Sequence, residues 1–517
     1  MTAQLQPVNL VAPGFRGLNL AQAGSILSPE FATQAENCRV DKAGRLAARK
    51  GYSDITSTDI TANAPVKTLF DYRQKDGTVE LIVAWDGGIA NDAADPEGND
   101  ISGAVTDADG RWWFQNFNDN VYGFQDGLTP VEYTGAGNFT AITAVSGTLP
   151  TSTRGVALAA FGRLWVLDTD GQTIKYSALL DPTRWATADG GGSIDMTSVW
   201  AEGMDVVTAI SAYNGQLVVF GERHIIFWSD GQGGQLGIQP NDMYVNDVVT
   251  GTGCLTQWSV QSVGDTDMLF LGRNGVQSIV RVVESASNPV RSLSKNVRND
   301  ILDKVIPLTD IDTISSTYNP LDGFYLLTIP GDTTFCFDQR YPFRDEEGDL
   351  LNIITTWSLA PVAWLTREET FDLYLGDTFG VGTYRTNSLD GTETFRFVYQ
   401  SPWLQLGEQF ADRLKLLKRI GSILFVNNDT EIVYRWEVDF DVGSLRSRSV
   451  SVDADATSEW GLGEWAEDEW SGGLSLRIIK LPARQTGQYF RLGVEADISG
   501  EFAIQQLELF TKIGRLA

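Results

Sequence analysis

The stretch RLWVLDTDGQTIKYSALL, residues 163–180, has two runs rich in apolar and β-branched residues on either side of the sequence DTDG. This arrangement is typical of a β-hairpin, because Asp and Gly readily adopt the backbone conformations that a tight turn requires. Stretches of the same form recur along the chain, and we expect each to be a hairpin. They span residues 78–88, 215–231, 267–280, 323–338 and 371–385, with a less regular one at 111–127.

The spacing of these stretches predicts how they are arranged. Neighbouring stretches begin roughly 35 to 55 residues apart, which is within the range of propeller blades. A unit this small cannot bury its own hydrophobic face, whereas radial stacking of several units buries every face and leaves only short edges. We therefore predict an all-β protein with a β-propeller of about six or seven blades over residues 60–390. Two successive β-sandwiches are the alternative, but they would not produce the recurring pattern.

The pattern of apolar and polar residues changes after Asp390. The apolar and polar residues alternate more cleanly there and the predicted strands are longer, which favours an antiparallel β-sandwich over residues 391–517. We expect residues 1–59 to form a separate N-terminal segment made of a short helix and a hairpin. The helix is predicted over residues 28–38, where Ser28 can cap it and Pro29 can occupy its first turn.

Composition excludes several classes of protein. The 517-residue chain has 39 Lys and Arg against 67 Asp and Glu, a formal net charge of −28, so binding to DNA phosphates through a general basic surface is disfavoured. Cys38, Cys254 and Cys336 lie far apart without CxxC spacing, and we expect buried thiols rather than disulfides or a zinc site. The N-terminus lacks a signal-peptide pattern, and no window approaches the ~18 apolar residues of a membrane helix. We therefore expect assembly in a cytoplasm without membrane insertion.

Residues with catalytic chemistry are few. His224 is the only histidine, so a nucleophile activated by histidine has a single candidate base, and we expect a polar residue at a strand start instead. The sequences at 107–110 and 168–171 resemble the start of calcium loops, but neither continues to the required Glu, which favours turns. We expect no catalytic residue, no cofactor and no metal. The acids are too numerous to single out a glycosidase pair, so that activity stays a weaker alternative.

One cluster of aromatic and acidic residues is unusual. The stretch SEWGLGEWAEDEWSGG, residues 458–473, repeats a Glu-Trp pair every five residues. Exposed indoles can stack on sugar rings or fill a partner's pocket, because Trp combines a large contact area with a polar group. Packing of the same rings on the chain's own core is equally compatible with the pattern. The candidate contact residues are Trp460, Trp465 and Trp470.

The N-terminal stretch GFRGLNLAQAGSILSPEFATQAENCRVDKAGRLAARKGYSDIT, residues 14–56, carries a motif with defined spacing. Its positions are Gly17, Leu18, Asn19, Leu27, Pro29, Ala32, Ala35, Asn37, Asp41, Gly44, Arg45, Leu46, Arg49 and Gly51. This stretch resembles the N-terminal segment of the tail nozzle and packaged-DNA-stabilisation proteins of short-tailed bacteriophages. It departs from them at Lys50, where that family often has Pro. Residues 162–185 are similar to a blade of these proteins, and residues 398–420 to their segment at the propeller exit.

The hairpin of this N-terminal segment carries most of its basic residues. Asp41 to Gly44 is predicted to form the turn, and the flanking strands can pair with the propeller or with the edge of a neighbouring subunit. Basic side chains in so acidic a chain are expected to meet an acidic partner surface. These candidate assembly residues are Arg39, Lys42, Arg45, Arg49 and Lys50.

The resemblance implies a structural protein of the virion rather than an enzyme. Proteins of this family form a homo-oligomeric ring, usually of about six copies, that continues the DNA channel below the portal and its adaptor. The implied partners are the portal adaptor, the tail fibre, spike or needle proteins, and double-stranded DNA that passes through the lumen without specific binding. Acids facing the lumen would repel the phosphates from every wall, so the duplex could leave quickly. A receptor- or glycan-binding tail module is the alternative that rests on the Trp cluster.

Overall fold

The regular secondary structure that the structure describes is almost entirely β-strand, as the alternation predicts. The computed structural model describes residues 6–11, 14–41, 44–57, 60, 64–105, 110–230, 240–264, 267–280, 292–345, 348, 350–385, 387–405, 413–453 and 475–516. Within these ranges there is one α-helix, α1, at Arg298–Val305. The expected all-β class is confirmed.

The strands are numbered in chain order. They are β1 Gln6–Val11, β2 Gln34–Glu36, β3 Cys38–Val40, β4 Leu46–Ala48, β5 Tyr52–Asp54, β6 Val66–Arg73, β7 Val79–Trp85, β8 Gly88–Ala90, β9 Trp113–Phe117, β10 Asn120–Phe124, β11 Val131–Tyr133, β12 Thr140–Ala141, β13 Ala157–Ala160, β14 Arg163–Leu167, β15 Thr173–Tyr176, β16 Gly192–Asp195, β17 Val207–Tyr213, β18 Gln216–Gly221, β19 His224–Asp230, β20 Met243–Thr250, β21 Gln261–Val263, β22 Asp267–Gly272, β23 Gly275–Ser278, β24 Ser315–Asn319, β25 Phe324–Ile329, β26 Thr333–Arg344, β27 Leu350–Trp357, β28 Ala363–Thr366, β29 Leu373–Asp377, β30 Gly380–Tyr384, β31 Phe395–Gln400, β32 Arg413–Val426, β33 Thr430–Val438, β34 Arg446–Val452, β35 Ser475–Gly487, β36 Phe490–Ile498 and β37 Phe502–Leu516. Short 3-10 helices lie at Glu97–Asn99, Thr187–Asp189, Met196–Ser198, Pro240–Asp242, Gln257–Ser259, Lys295–Val297, Ile311–Thr313 and Val442–Ser444.

Two compact units share the chain. The first unit comprises Met1–Ser53, Thr333–Leu359 and Tyr384–Ala517, and the second comprises Asp54–Asp332 and Ala360–Thr383. The chain therefore passes between the units four times. The consecutive segments 1–59, 60–390 and 391–517 stay a prediction.

The second unit is built from small antiparallel sheets that follow one another along the chain. Their strand orders are β6-β7-β8, β12-β11-β10-β9, β13-β14-β15-β16, β17-β18-β19-β20, β21-β22-β23, the pair β24-β25, and β28-β29-β30. The first strands of neighbouring sheets contact one another. β6 contacts β9, β9 contacts β13 and β13 contacts β17. Likewise β21 contacts β24, and β24 contacts β28. The 3-10 helix Gln257–Ser259 contacts both β17 and β24, and β28 contacts β6.

Apolar side chains fill the space between neighbouring sheets of the second unit. Trp165 and Ile174 of one sheet pack with Ile210 and Val219 of the next. Because the sheets are small and both faces are apolar, each sheet depends on its neighbours for burial. The turn at 168–171 also forms as predicted, with the Gly171 amide donating to the Asp168 carbonyl at 3.0 Å.

The first unit contains two sheets of longer strands. One has the order β3-β4-β37-β32-β35, with β1 paired to β37, and the other runs β26-β27-β2-β31-β36-β33-β34. The rings of Phe397 on β31 and Phe502 on β37 meet at 5.0 Å, and Ser422 on β32 hydrogen-bonds Tyr434 on β33 at 2.5 Å. Side chains from the two sheets therefore form a shared core.

One expectation for the N-terminal segment is wrong. No helix forms over residues 28–38, where Gln34–Glu36 is strand β2 instead, paired in parallel with β27 and antiparallel with β31. A helix of about three turns is marginal on its own, and strand pairing on both sides satisfies more of the backbone. The hairpin β3-β4 forms as predicted, but its partner is β37 of the same chain, through Ala47 opposite Ala503.

Two further sequence expectations can be compared with the structure. Cys38, Cys254 and Cys336 are buried thiols that form no disulfide with one another, as expected. No helix in the described part of the chain has the length and apolar character needed to cross a lipid bilayer.

Candidate functional site

The basic hairpin of the N-terminal segment is the first candidate site. Its turn is closed by the Asp41 carboxylate, which accepts from the Arg45 amide at 2.9 Å and from Arg45 Nε at 2.6 Å. The Arg45 guanidinium also lies 4.4 Å from the ring centre of Phe425 on β32. Arg39 Nε donates to the Ala48 carbonyl at 3.2 Å, across the hairpin. These contacts hold the hairpin on its own sheet.

Arg49 lies in the interior of the first unit. Its side chain is fully buried, and its two terminal nitrogens donate to both oxygens of Asp390 at 2.7 and 2.6 Å. Arg49 Nε donates to Asn37 Oδ1 at 2.8 Å, and the guanidinium lies 3.9 Å from the ring centre of Phe395. The expectation that Arg49 faces a partner is wrong, because a guanidinium with these contacts has no surface left to offer.

The other candidate residues have mixed outcomes. Lys50 pairs with Glu501 at the start of the last strand, and both side chains keep part of their surface in solvent. Lys42 lies outside the described residues, as do Trp460, Trp465 and Trp470. The proposed contacts of these four residues therefore stay predictions.

The motif residues between positions 17 and 51 hold β2 in its sheet. Gly17 has φ +86°, and a Cβ there would lie 2.6 Å from the backbone nitrogen of Ile354 on β27. The Leu18 amide donates to the Ile354 carbonyl at 2.9 Å, and the Ala32 amide donates to the Gly17 carbonyl at 2.9 Å. Asn37 follows β2 with φ +56° and donates to the Arg396 carbonyl at 2.7 Å. The motif residues thus serve the fold of the first unit.

A cavity of about 800 Å³ in the second unit is the second candidate site. Its lining comes largely from the first strands of five sheets, β6, β9, β21, β24 and β28, and from Trp258 of the 3-10 helix at 257–259. The Arg111 guanidinium lies 4.0 Å from the ring centre of Trp258, and the Trp113 ring meets that indole edge-on at 5.0 Å. Arg111 also donates to the Ile314 carbonyl at 2.6 Å. The sequence did not predict that Arg111 contacts Trp258 and Ile314, because these residues lie up to about two hundred positions apart.

The charges at this cavity are mostly paired. Arg367 contacts Asp71 at 2.9 Å and Lys67 contacts Asp86 at 2.6 Å. The indole nitrogen of Trp113 is buried and has no hydrogen-bond partner among the described residues. A cavity with paired charges, indole surfaces and an unused donor fits an uncharged polar ligand better than an ion.

His224 is a structural residue at the start of β19, as the sequence suggested. Its Nδ1 lies 2.8 Å from Asp205 Oδ2, and both side chains are buried. The Asp205 carboxylate also accepts from the amides of Val206, Glu222 and Arg223 at 2.8 to 3.1 Å. Burial raises the pKa of Asp205, but the hydrogen bonds from His224 and the amides outweigh it and hold that pKa below its ordinary value.

Comparisons with known proteins add little to these sites. No group of three or more His, Cys, Asp or Glu in the described ranges is placed to hold a metal ion. No protein-family model matches the chain, and no curated protein matches its sequence. The crystal structure of the computationally designed Ika8 protein is similar with a TM-score of 0.33 and 12% identity, over 71% of this chain and 99% of the designed protein. A likeness of that size carries no argument about fold or function.

Proposed function

We propose that this chain is a structural virion protein that forms the tail-nozzle ring of a short-tailed bacteriophage. The observation that carries the proposal is the motif of residues 17–51, whose spacing resembles that family. Its residues Asn37 and Arg49 share a buried hydrogen bond in the first unit, and Gly17 lies against the backbone of β27. Contacts between motif residues that lie apart in the sequence support the proposal more than their spacing alone does.

In this proposal the second unit is a β-propeller of about six or seven blades. The supporting observation is the set of contacts between the first strands of its small sheets, together with the contact of β28 with β6. Strands of this kind at the centre of a radial array leave a narrow axial cavity, and the second unit has a cavity lined by five of them. The apolar packing between successive sheets also fits blades.

The charge of the second unit supports a role as a conduit. It contains 39 Asp and Glu against 16 Lys and Arg, a formal net charge of −23. Acids within a Debye length of about 8 Å repel DNA phosphates at physiological salt. A wall of this kind confines the duplex without binding it. The ring would have about six copies and would join the portal adaptor above and the tail fibre, spike or needle proteins beside or below it.

Assembly of the purified chain is the decisive experiment. Mass photometry at micromolar concentration, alone and with an adaptor protein, is expected to show a ring, and electron microscopy to show its channel. A monomer under both conditions would overturn the proposal. Release of DNA from particles that contain the ring supplies the functional readout.

A glycan-binding tail module is the second candidate function. The observation that favours it is the cavity with the Trp113 and Trp258 rings, since indoles stack on sugar rings. A glycan array with the wild-type chain and a Trp258→Ala variant separates this function from that of a conduit. A reducing-sugar assay on any glycan that binds tests the weaker alternative of a propeller glycoside hydrolase.

A further inference from the structure

The long strands β32 and β35 carry an unusual charge for this chain. They contain Arg413, Lys415, Lys418, Arg419, Arg477, Lys480 and Arg484, and neither strand contains an Asp or Glu. The whole chain, by contrast, has a net charge of −28. These two neighbouring strands are therefore cationic within an acidic chain.

Four of these cations, Lys418, Arg419, Lys480 and Arg484, lie on one side of the sheet, whereas Lys415 is buried. Alternate residues of β35 face outwards, and the register places Ile478 opposite Ile423 and Lys480 opposite Gly421 of β32. Leu476 and Ile478 are 51% and 62% exposed, and Lys480, Arg484 and Lys418 are also exposed. We call Leu476, Ile478, Lys480, Arg484, Lys418 and Arg419 the basic outer face.

The cations of the basic outer face lack the partners that other cations have. Lys418, Lys480 and Arg484 have no carboxylate partner among the described residues, while Lys67, Lys175 and Lys304 of the second unit each pair with an Asp. Glu508 of β37, opposite Gly421, accepts from Gln506 at 2.6 Å. In a chain with excess acid, unpaired cations beside exposed apolar groups mark a surface for an external partner.

The position of β35 in its sheet is a further feature that favours an external partner. Among the strands that the structure describes it is the last in the order β3-β4-β37-β32-β35, and it is 13 residues long. A long edge strand presents a row of backbone donors and acceptors, which proteins normally cover or protect with charge. The basic outer face thus combines an apolar patch, a strand edge and positive charge.

We propose that the basic outer face docks on the acidic second unit of a neighbouring copy of this chain. This rests on the proposed ring. Charge complementarity favours it, because the second unit has a net charge of −23 while the first unit, with 28 Asp and Glu against 23 Lys and Arg, has −5. A duplex DNA partner fits less well, since Leu476 and Ile478 would gain nothing from phosphates and the rest of the chain repels them.

The test is a charge-reversed variant, Lys418→Glu with Lys480→Glu and Arg484→Glu. A matched control, Arg344→Glu with Arg446→Glu and Arg448→Glu, makes the same charge change at exposed cations of the first unit outside the basic outer face. The first variant is expected to weaken assembly by at least about tenfold in sedimentation or mass photometry, and the control by much less. Assembly of the wild type is expected to weaken as salt rises. Circular dichroism and thermal melting of both variants check that the fold is kept.

Zero-length cross-linking of Lys480 to carboxylates supplies a second readout on the unaltered chain. Mixed isotope-labelled copies are expected to give links from Lys480 to Asp or Glu of the second unit of another copy. Links only within one copy, or a variant that assembles as tightly as the wild type, would overturn the docking and leave the ring intact. A wild type that never assembles overturns the proposed function. Duplex binding by that monomer, lost in the charge-reversed variant, would assign the face to DNA.

Discussion

Arg49 shows how one residue can be misread from its charge alone. A basic residue in an acidic chain suggests an external acidic partner, but this guanidinium is saturated by Asp390, Asn37 and the Phe395 ring. Asp390 is 341 positions away in the sequence, so no local pattern reveals the pair. The planar fork of Arg suits this bidentate contact, which Lys cannot reproduce.

Removal of the Arg49 guanidinium is expected to destabilise the chain strongly. Arg49→Met would leave the Asp390 carboxylate without its partner, and the expected loss in the free energy of unfolding is about 3 kcal/mol or more. Arg16→Met is the control, because the Arg16–Glu30 pair is about 40% exposed and is expected to contribute under about 1 kcal/mol. Urea unfolding followed by circular dichroism measures both. Equal losses in the two variants would contradict the buried role of Arg49.

Asp205 makes stability depend on pH in a predictable direction. Its pKa is lower in the folded chain than its ordinary value, so its contribution is fully present above about pH 4 and is lost as the pH falls through the folded pKa. Asp205→Asn removes most of this contribution and is expected to cost about 2 kcal/mol at pH 7. The difference in melting temperature between wild type and variant should therefore shrink below about pH 4. A difference that is constant from pH 7 to pH 3 would exclude this carboxylate as the cause.

At the scale of elements, the N-terminal segment is part of the first unit's sheets. β2 lies between β27 and β31, and the hairpin β3-β4 extends the sheet that β37 and β32 form. Strands from the beginning, middle and end of the chain therefore share hydrogen bonds. Deletion of residues 1–56 is consequently expected to unfold the first unit, and loss of ring assembly in that deletion would not by itself locate an interface.

Two glycines of the motif allow the cost of backbone strain to be measured apart from the cost of a steric clash. Gly17 and Gly44 both have positive φ, +86° and +77°. A Cβ at Gly17 would lie 2.6 Å from backbone, whereas nothing lies within 4 Å at Gly44. Gly44→Ala is expected to cost about 1 kcal/mol from strain alone, and Gly17→Ala clearly more, because the backbone of β27 would have to move. Thermal denaturation of the two variants measures the difference, and Gly44→Ala as the worse of the two would contradict the close approach at β27.

At the scale of the whole molecule, charge is divided unevenly between the units. The second unit carries −23 of the total −28. If copies assemble, this charge opposes assembly unless cationic surfaces offset it, and the basic outer face is the strongest candidate.

The wall of the proposed channel is expected to carry an excess of Asp and Glu. Electron microscopy of the ring with duplex DNA in its lumen tests this, because a reconstruction assigns the residues nearest the phosphates. Replacement of several of those acids by Lys is expected to slow DNA release without preventing particle assembly, with a delay that shrinks as salt rises. A wall dominated by Lys and Arg, or release at the wild-type rate at low ionic strength, would contradict the mechanism.

Local features of the chain were predictable because they depend on neighbours a few residues away. The alternation in residues 163–180 and the Asp-Gly turn within it specify a hairpin, and the same pattern recurs in the other small sheets. The turn of the β3-β4 hairpin was predictable for the same reason.

The pairing partners of the strands were decided by the tertiary structure. Every strand offers the same backbone donors and acceptors, so β2 can pair as well with one neighbour as with another until burial selects β27 and β31. The same holds for the joining of Arg49 to Asp390 and of Trp113 to Trp258, where the residues meet only because distant strands have packed. Local propensity favoured a helix at residues 28–38, and two paired strand edges outweighed it because they satisfy the backbone and bury Ala32 and Ala35 together.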